Sequence, residues 1–134
     1  MAEPQAPAVR PDVDIREEIG AIIVRYPPLS AERRSFDVSA KGGVVRFTGY
    51  LSTRIHYRYL IEHTRQVRGV EAIDDSRLYI SEDLRLTIGR LLPEGVQATV
   101  RGGTVVLIGS PHDGAIDALA QRVAHVPGVE RVLV

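Results

Sequence analysis

The chain repeats itself, and that repetition limits its possible folds more than any other feature. Asp14-Ile-Arg-Glu-Glu-Ile-Gly20 returns as Asp83-Leu-Arg-Leu-Thr-Ile-Gly89. Lys41-Gly-Gly-Val-Val-Arg-Phe-Thr-Gly49 returns as Arg101-Gly-Gly-Thr-Val-Val-Leu-Ile-Gly109. Val67-Arg-Gly-Val-Glu71 returns as Val126-Pro-Gly-Val-Glu130. Three blocks recur in one order, so the chain is a duplicated unit. Each unit is small enough to bury little core alone and gains from docking on its neighbour.

Each copy spells the same elements. Ile15, Ile19, Ile22, Ile23 and Tyr26 keep the spacing of one helix face, and Leu84, Ile88, Leu91 and Leu92 repeat that stripe. Asp12 and Ser81 stand where helix N-caps are expected. Pro27-Pro28 and Pro93 are expected to stop these helices, because proline lacks the amide donor. Two strands follow in each copy, over 34–40 with 44–51 and over 96–101 with 104–110. Gly42-Gly43 and Gly102-Gly103 sit where a tight hairpin turn calls for positive φ. A second helix buries Tyr57, Leu60, Ile61, Thr64 and Val67, matched by Ile116, Leu119, Ala120, Val123 and Val126. Gly69 and Gly128 lie just past those helices as C-caps. A last strand closes each copy, over 72–80 and, shorter, over 130–134.

The order α-β-β-α-β, read twice, predicts an α+β fold: two modules, each a three-stranded mixed sheet with two helices on one face. The expected boundaries are a disordered tail at 1–11, a first module at 12–80 and a second at 81–134. Ile80 runs into Ser81 without a linker, so the modules should be rigidly related.

Composition excludes several classes of function. Lys plus Arg and Asp plus Glu are 17 each, so no global charge draws the chain to nucleic acid. Two Phe and no Trp leave no stacking platform for single strands, and no nucleic-acid partner is expected. With no Cys there is neither a disulfide nor a thiolate metal site. The start lacks a basic segment followed by an apolar run, and no stretch reaches the roughly 18–20 apolar residues that span a bilayer. The sequence as it stands therefore reads as cytoplasmic, or periplasmic if a leader has been trimmed.

With order and motifs in hand, the chain resembles a tandem BON protein, named for bacterial osmotically inducible and nodulation proteins. The family pattern is an amphipathic helix, a hairpin reading G-x-V-x-L-x-G, a helix, then G-V-x-x-V entering the last strand. It stands here as Gly43-Val-Val-Arg-Phe-Thr-Gly49 with Gly69-Val-Glu-Ala-Ile73, and as Gly103-Thr-Val-Val-Leu-Ile-Gly109 with Gly128-Val-Glu-Arg-Val132. The resemblance implies a non-enzymatic module of bacterial envelopes and stress responses that binds phospholipid or attaches to an envelope protein. Most such modules follow a secretion signal, which this start does not show.

Candidate binding residues are few. Arg54, Arg58 and Arg65 fall within about 40° of one another on the second helix, bordering its apolar face. Residues 14–80 carry 11 basic and 9 acidic side chains, and residues 81–134 carry 5 and 6, so the first module is the better candidate for anionic headgroups. The plainer alternative is a solvated face with an Arg58–Glu62 pair. Gly49 and Gly109 lie inside strands, which points to close packing or a bulge before ligand contact.

No catalytic set emerges. His56 and His63 lie about 10 Å apart along one helix, too far to share an ion unaided. His112 and His125, near Asp113 and Asp117, lack ligand spacing, so neither metal nor cofactor is expected. The Ile108-Gly-Ser-Pro-His112 stretch lacks the nucleophile elbow. Strand alternation leaves Arg46 and Thr48 on the outer face of the first sheet but Val106 and Ile108 on that of the second. An apolar outer face implies a cover, either the first module or an interface that makes the chain a homo-oligomer or docks a partner.

Overall fold

Gly49 and Gly109 set the frame of both modules in the computed structural model, which describes residues 9–111 and 115–134. Each glycine stands opposite the first residue of the preceding strand, Phe36 and Val96 respectively. Each has left-handed φ, +117° and +115°. A Cβ on Gly49 would lie 2.7 Å from the Phe36 Cα and closer still to the Ser35 carbonyl. One on Gly109 would press on the Gly95 carbonyl. Only glycine lets the two strands close at that point.

The elements run α1 (Asp12–Arg25), α2 (Pro27–Ala31), β1 (Phe36–Lys41), β2 (Val44–Leu51), α3 (Arg54–Arg65) and β3 (Ala72–Ile80) in the first module. The second runs α4 (Ser81–Gly89), β4 (Val96–Arg101), β5 (Thr104–Gly109), α5 (Ile116–Ala124) and β6 (Arg131–Leu133). Two three-stranded mixed sheets result, ordered β1-β2-β3 and β4-β5-β6. The hairpin pairs are antiparallel and the last strand of each pairs parallel to the middle one. The α+β class and the two-module architecture read from the repeat are those of the structure.

Alternation along β2 buries Val45, Phe47 and Leu51 against Ile15, Ile19 and Leu60 of the helices. Along β5 it buries Val105 and Leu107 against Leu84, Ile88, Leu119 and Val123. These helix positions are those of the apolar stripes, because a helix on a sheet buries only the face set by its 3.6-residue period. Thr64 belongs to the same stripe and is fully buried, and its hydroxyl has no hydrogen-bond partner among the described residues.

Several local expectations are corrected. Pro11, not Asp12, is the N-cap of α1; Asp12 instead accepts a hydrogen bond from the Gly42 amide at 3.0 Å, tying the helix start to the hairpin. Ser81 is the first residue of α4 and makes no side-chain cap, since Ile80 holds that place as β3 passes directly into the helix. The side-chain cap is on α3, where Thr53 accepts from the His56 amide. Pro27-Pro28 ends α1 and also opens α2, because proline's fixed φ suits the first turn of a helix. α4 ends at Gly89, ahead of Pro93, so Leu91 and Leu92 reach the core from beyond the helix. β1 and β6 differ from their expected bounds by one or two residues at each end, and β5 by one residue at its end. In the second hairpin only Gly102 has positive φ; Gly103 does not.

Arg10 lies within the tail expected at 1–11 and makes contacts with the first module. Arg10 is held by Glu18 at 3.3 Å and by the Arg68 carbonyl at 3.0 Å, and its stem packs on Gly69. Residues 1–8 lie outside the described residues.

The modules meet directly. Tyr50 and Tyr79, partners across β2 and β3, pack against the second core with ring centroids 5.9 Å apart. Arg54 pairs with Asp83 at 2.9 Å, and the Glu82 amide donates to the Ser52 carbonyl. Since β3 enters α4 without a linker, these contacts add to a covalent constraint and hold one mutual orientation.

Candidate functional site

Helix α3 presents its charged edge to the junction. Between α3, β3, α4 and the turn at Val126-Pro127 lies a cleft of about 630 Å³. Arg54, Arg58 and Arg65 all line it, because residues 4 and 11 positions apart fall on one helix side. Its floor is apolar, with Ile61, Leu78, Leu84 and Val126. The sequence-derived cluster is therefore brought to one place.

The electrostatics are more balanced than the sequence implied. Arg54 is committed to Asp83, whose carboxylate, through its hydrogen bond and charge, raises the guanidinium pKa further. Asp75 accepts the Tyr57 hydroxyl, and that hydrogen bond, with burial, pushes the phenol up to about 12. Glu62 lines the same cleft. Arg58 and Arg65 form no ion pair among the described residues, so the expected Arg58–Glu62 pair is not made. The cleft thus holds two uncommitted cations beside three carboxylates, one already neutralised.

The outer sheet faces differ as the alternation suggested. On the first sheet Arg46 pairs with Asp74 at 3.0 Å. Hydrogen bonds from Ser76, then Arg46, hold the Asp74 carboxyl below its usual range. On the second sheet Val106 is half-buried and faces Leu133 of β6, while Ile108 is 56% exposed and Leu133 47%. The first module does not cover Ile108. Of the two covers considered for this face, the intramolecular one is absent at that residue. Along the same face run Gln97, Thr99, Thr104, Arg101 and Arg131, and none of these is acidic.

Along this face the two sheets also differ in how far their last strands pair. β3 pairs with β2 as far as Leu51, while β6 pairs with β5 as far as Val106, and among the described residues no parallel partner continues along Leu107–Gly109.

The histidines among the described residues have local partners. His56 contacts Glu32 at 2.7 Å, His63 contacts the Tyr59 carbonyl and His125 the Gln121 carbonyl. No group of three potential ligands suited to a metal ion occurs among the described residues. His112 and Asp113 lie outside them. No described helix is long and apolar enough to cross a membrane.

The sequence reading missed the aromatic column on the first module's helices, because its members come from two elements. Tyr26 stacks on Tyr59 at 3.9 Å and Tyr59 on His63 at 3.8 Å. In the sequence Tyr26 reads only as part of an apolar stripe, and no spacing rule links it to Tyr59.

Comparison with known proteins agrees with this architecture. No curated protein matches the chain in sequence. Among solved structures, the C-terminal domain of CdsD, the structural protein of the type III secretion system of Chlamydia trachomatis, superposes with a TM-score of 0.75. It is 16% identical, and the match covers 96% of this chain and 67% of that one. A second CdsD structure gives a TM-score of 0.68 at 15% identity, covering 90% of this chain and 60% of the other. At such identity the likeness is one of fold, and it extends over both modules. The family model for the BON domain matches residues 11–80, more than half of the chain. The chain belongs to the BON domain family.

Proposed function

We propose that the chain is a non-catalytic tandem BON module that assembles with a second copy of itself through the outer face of its second sheet. The exposure of Ile108 and Leu133 beside Val106, on a face with no acidic side chain, carries this reading. The apolar residues occupy one end of the face, and Arg101 and Arg131, which both flank Thr104, occupy the other. A two-fold axis through the apolar end joins the apolar rows and sends the arginines of the two copies apart. The second module is read as a diverged copy of the first, since sheet order and hairpin register repeat. A place in a larger protein assembly fits the role printed for the CdsD structural protein.

Light scattering or sedimentation velocity over a wide concentration range tests it. Self-association that Ile108→Asp abolishes, with the fold unchanged, is the expected result. A single-chain mass at every concentration overturns it.

An anionic phospholipid surface is the second reading, favoured by Arg58 and Arg65 at the rim of an apolar-floored cleft. Its weakness is the company of Glu62, Asp75 and Asp83. Vesicle co-sedimentation with neutral and anionic lipid at two salt concentrations decides it. Binding that requires anionic lipid, weakens with salt and fails in the Arg58→Ala/Arg65→Ala variant supports the lipid reading. Binding by none of the vesicles removes it.

A further inference from the structure

The junction between the modules contains a socket that the fold builds twice but fills once. In the second module the socket consists of the Gly102-Gly103 turn, the Gly128 carbonyl and Glu130. Tyr50 of the first module occupies it. Its hydroxyl donates to the Gly128 carbonyl at 2.6 Å. Its ring lies against Gly102, where an added Cβ would be 3.6 Å from Cδ2. The Tyr50 hydroxyl and the Glu130 side chain both crowd the place where a Gly103 Cβ would stand, and burial and then Glu130 push the phenol up to about 12. Tyr79 fills the adjoining space, within 2.7 Å of where a Gly128 Cβ would stand.

The first module repeats these parts with one difference in the turn, where Gly43 has positive φ and Gly103 does not. Gly42-Gly43 forms the turn, Gly69 supplies the carbonyl and Glu71 stands where Glu130 does. The backbone closes alike, with the Glu71 amide donating to the Gly43 carbonyl at 2.8 Å and that of Glu130 to Gly103 at 2.7 Å. Even the Tyr79 place is taken. Arg10 would stand 2.8 Å from a Cβ on Gly69, with Ile15 beside it, as Tyr79 and Leu84 crowd the place of a Cβ on Gly128. Arg10 precedes Ile15 by the same five residues that separate Tyr79 from Leu84. Only the Tyr50 place has no occupant among the described residues. A Cβ on Gly42 would meet nothing within 4 Å, and a groove of about 750 Å³ opens there, lined by Val9, Arg10, Gly42, Gly43, Gly69 and Glu71.

We infer that this groove is a second tyrosine socket, which takes the phenol of a tyrosine at a strand end of a partner protein. The docked Tyr50 is the template, since it shows what a Gly-Gly hairpin, a glycine carbonyl and a carboxylate so placed select. A second copy of this chain is not the donor. The position matching Tyr50 in the second module is Ser110, and the five tyrosines of the chain are engaged elsewhere. Tyr50 and Tyr79 hold the junction, Tyr26 and Tyr59 stack together, and Tyr57 binds Asp75. The inference is independent of the self-association assigned to the second sheet, which lies on the other module.

Amide spectra of the labelled full chain test it, titrated with the capped peptide Thr-Gly-Tyr-Leu-Ser, the sequence around Tyr50. The expected result is saturable shifts at Gly42, Gly43, Gly69 and Glu71. Replacing the peptide tyrosine by phenylalanine should weaken binding about fivefold, the worth of one hydrogen bond. Gly42→Asn, which the open space and positive φ accommodate, and Glu71→Ala should each weaken it while leaving the remaining spectrum in place. The inference is overturned if these amides do not respond up to the solubility limit, or respond equally to the phenylalanine peptide. It is also overturned if they respond only after residues 1–8 are removed, which would assign the groove to the chain's own N-terminal segment.

Discussion

The Tyr50 hydroxyl donates to the Gly128 carbonyl at 2.6 Å, a single hydrogen bond that joins the end of one module's sheet to the turn before the other's last strand. The two residues are 78 positions apart, so the bond exists only when both modules are folded and docked. Removing the hydroxyl alone, in Tyr50→Phe, should cost about 1 kcal/mol in chemical denaturation. Tyr50→Ala should cost more and split a single transition into two, because it also empties the ring contacts with Tyr79 and Gly102. One unchanged transition in Tyr50→Ala would show that the modules do not depend on this contact.

Gly49 and Gly109 predict a matched pair of failures. Alanine at either requires a left-handed φ and drives Cβ into the opposite strand, at the Ser35 or the Gly95 carbonyl. Each substitution should destabilise its own module by about 3 kcal/mol or more. Hydrogen exchange resolved by residue should show Gly49→Ala loosening the first core, and Gly109→Ala the second.

Thr64 makes the opposite prediction. Its buried hydroxyl has no partner among the described residues, so the chain bears a desolvation cost with no bond in return. Thr64→Val keeps the shape and removes the polar atom, and should raise stability by about 1 kcal/mol. An equal loss instead would reveal a partner for that hydroxyl.

Alkaline pH should weaken the fold in a defined window. Tyr50, through burial and then Glu130, and Tyr57, through the Asp75 hydrogen bond and then burial, both have phenols pushed up to about 12 from the ordinary 10.0. A raised phenol favours the neutral form in the folded chain. Its contribution is therefore complete below pH 10 and is lost as pH rises from 10 towards 12. The melting temperature should fall across that window, less steeply in the Tyr50→Phe/Tyr57→Phe variant. A parallel fall in the variant would assign the loss to other groups.

Periodicity and repetition determined a large part of this protein from the sequence alone. The apolar stripes located the core helices, and strand alternation located Val45, Phe47, Val105 and Leu107 inside and Val106 and Ile108 outside. These are local properties, set by how 3.6- and 2-residue periods turn side chains toward or away from a face. The arginine stripe was legible for the same reason, since one helix fixes the relative places of its own residues. What pairs with those arginines was not legible. Asp83 reaches Arg54 only because the second module docks where it does, and the expected partner Glu62 pairs with none of them. Proline's fixed φ serves a helix start as well as a stop, so Pro27-Pro28 both ends α1 and opens α2, while β3 running straight into α4 takes the cap place from Ser81. Tyr50 illustrates the limit most plainly. Its sequence position marks it as one more strand residue, and only the packing of one module on the other turns it into the occupant of a socket.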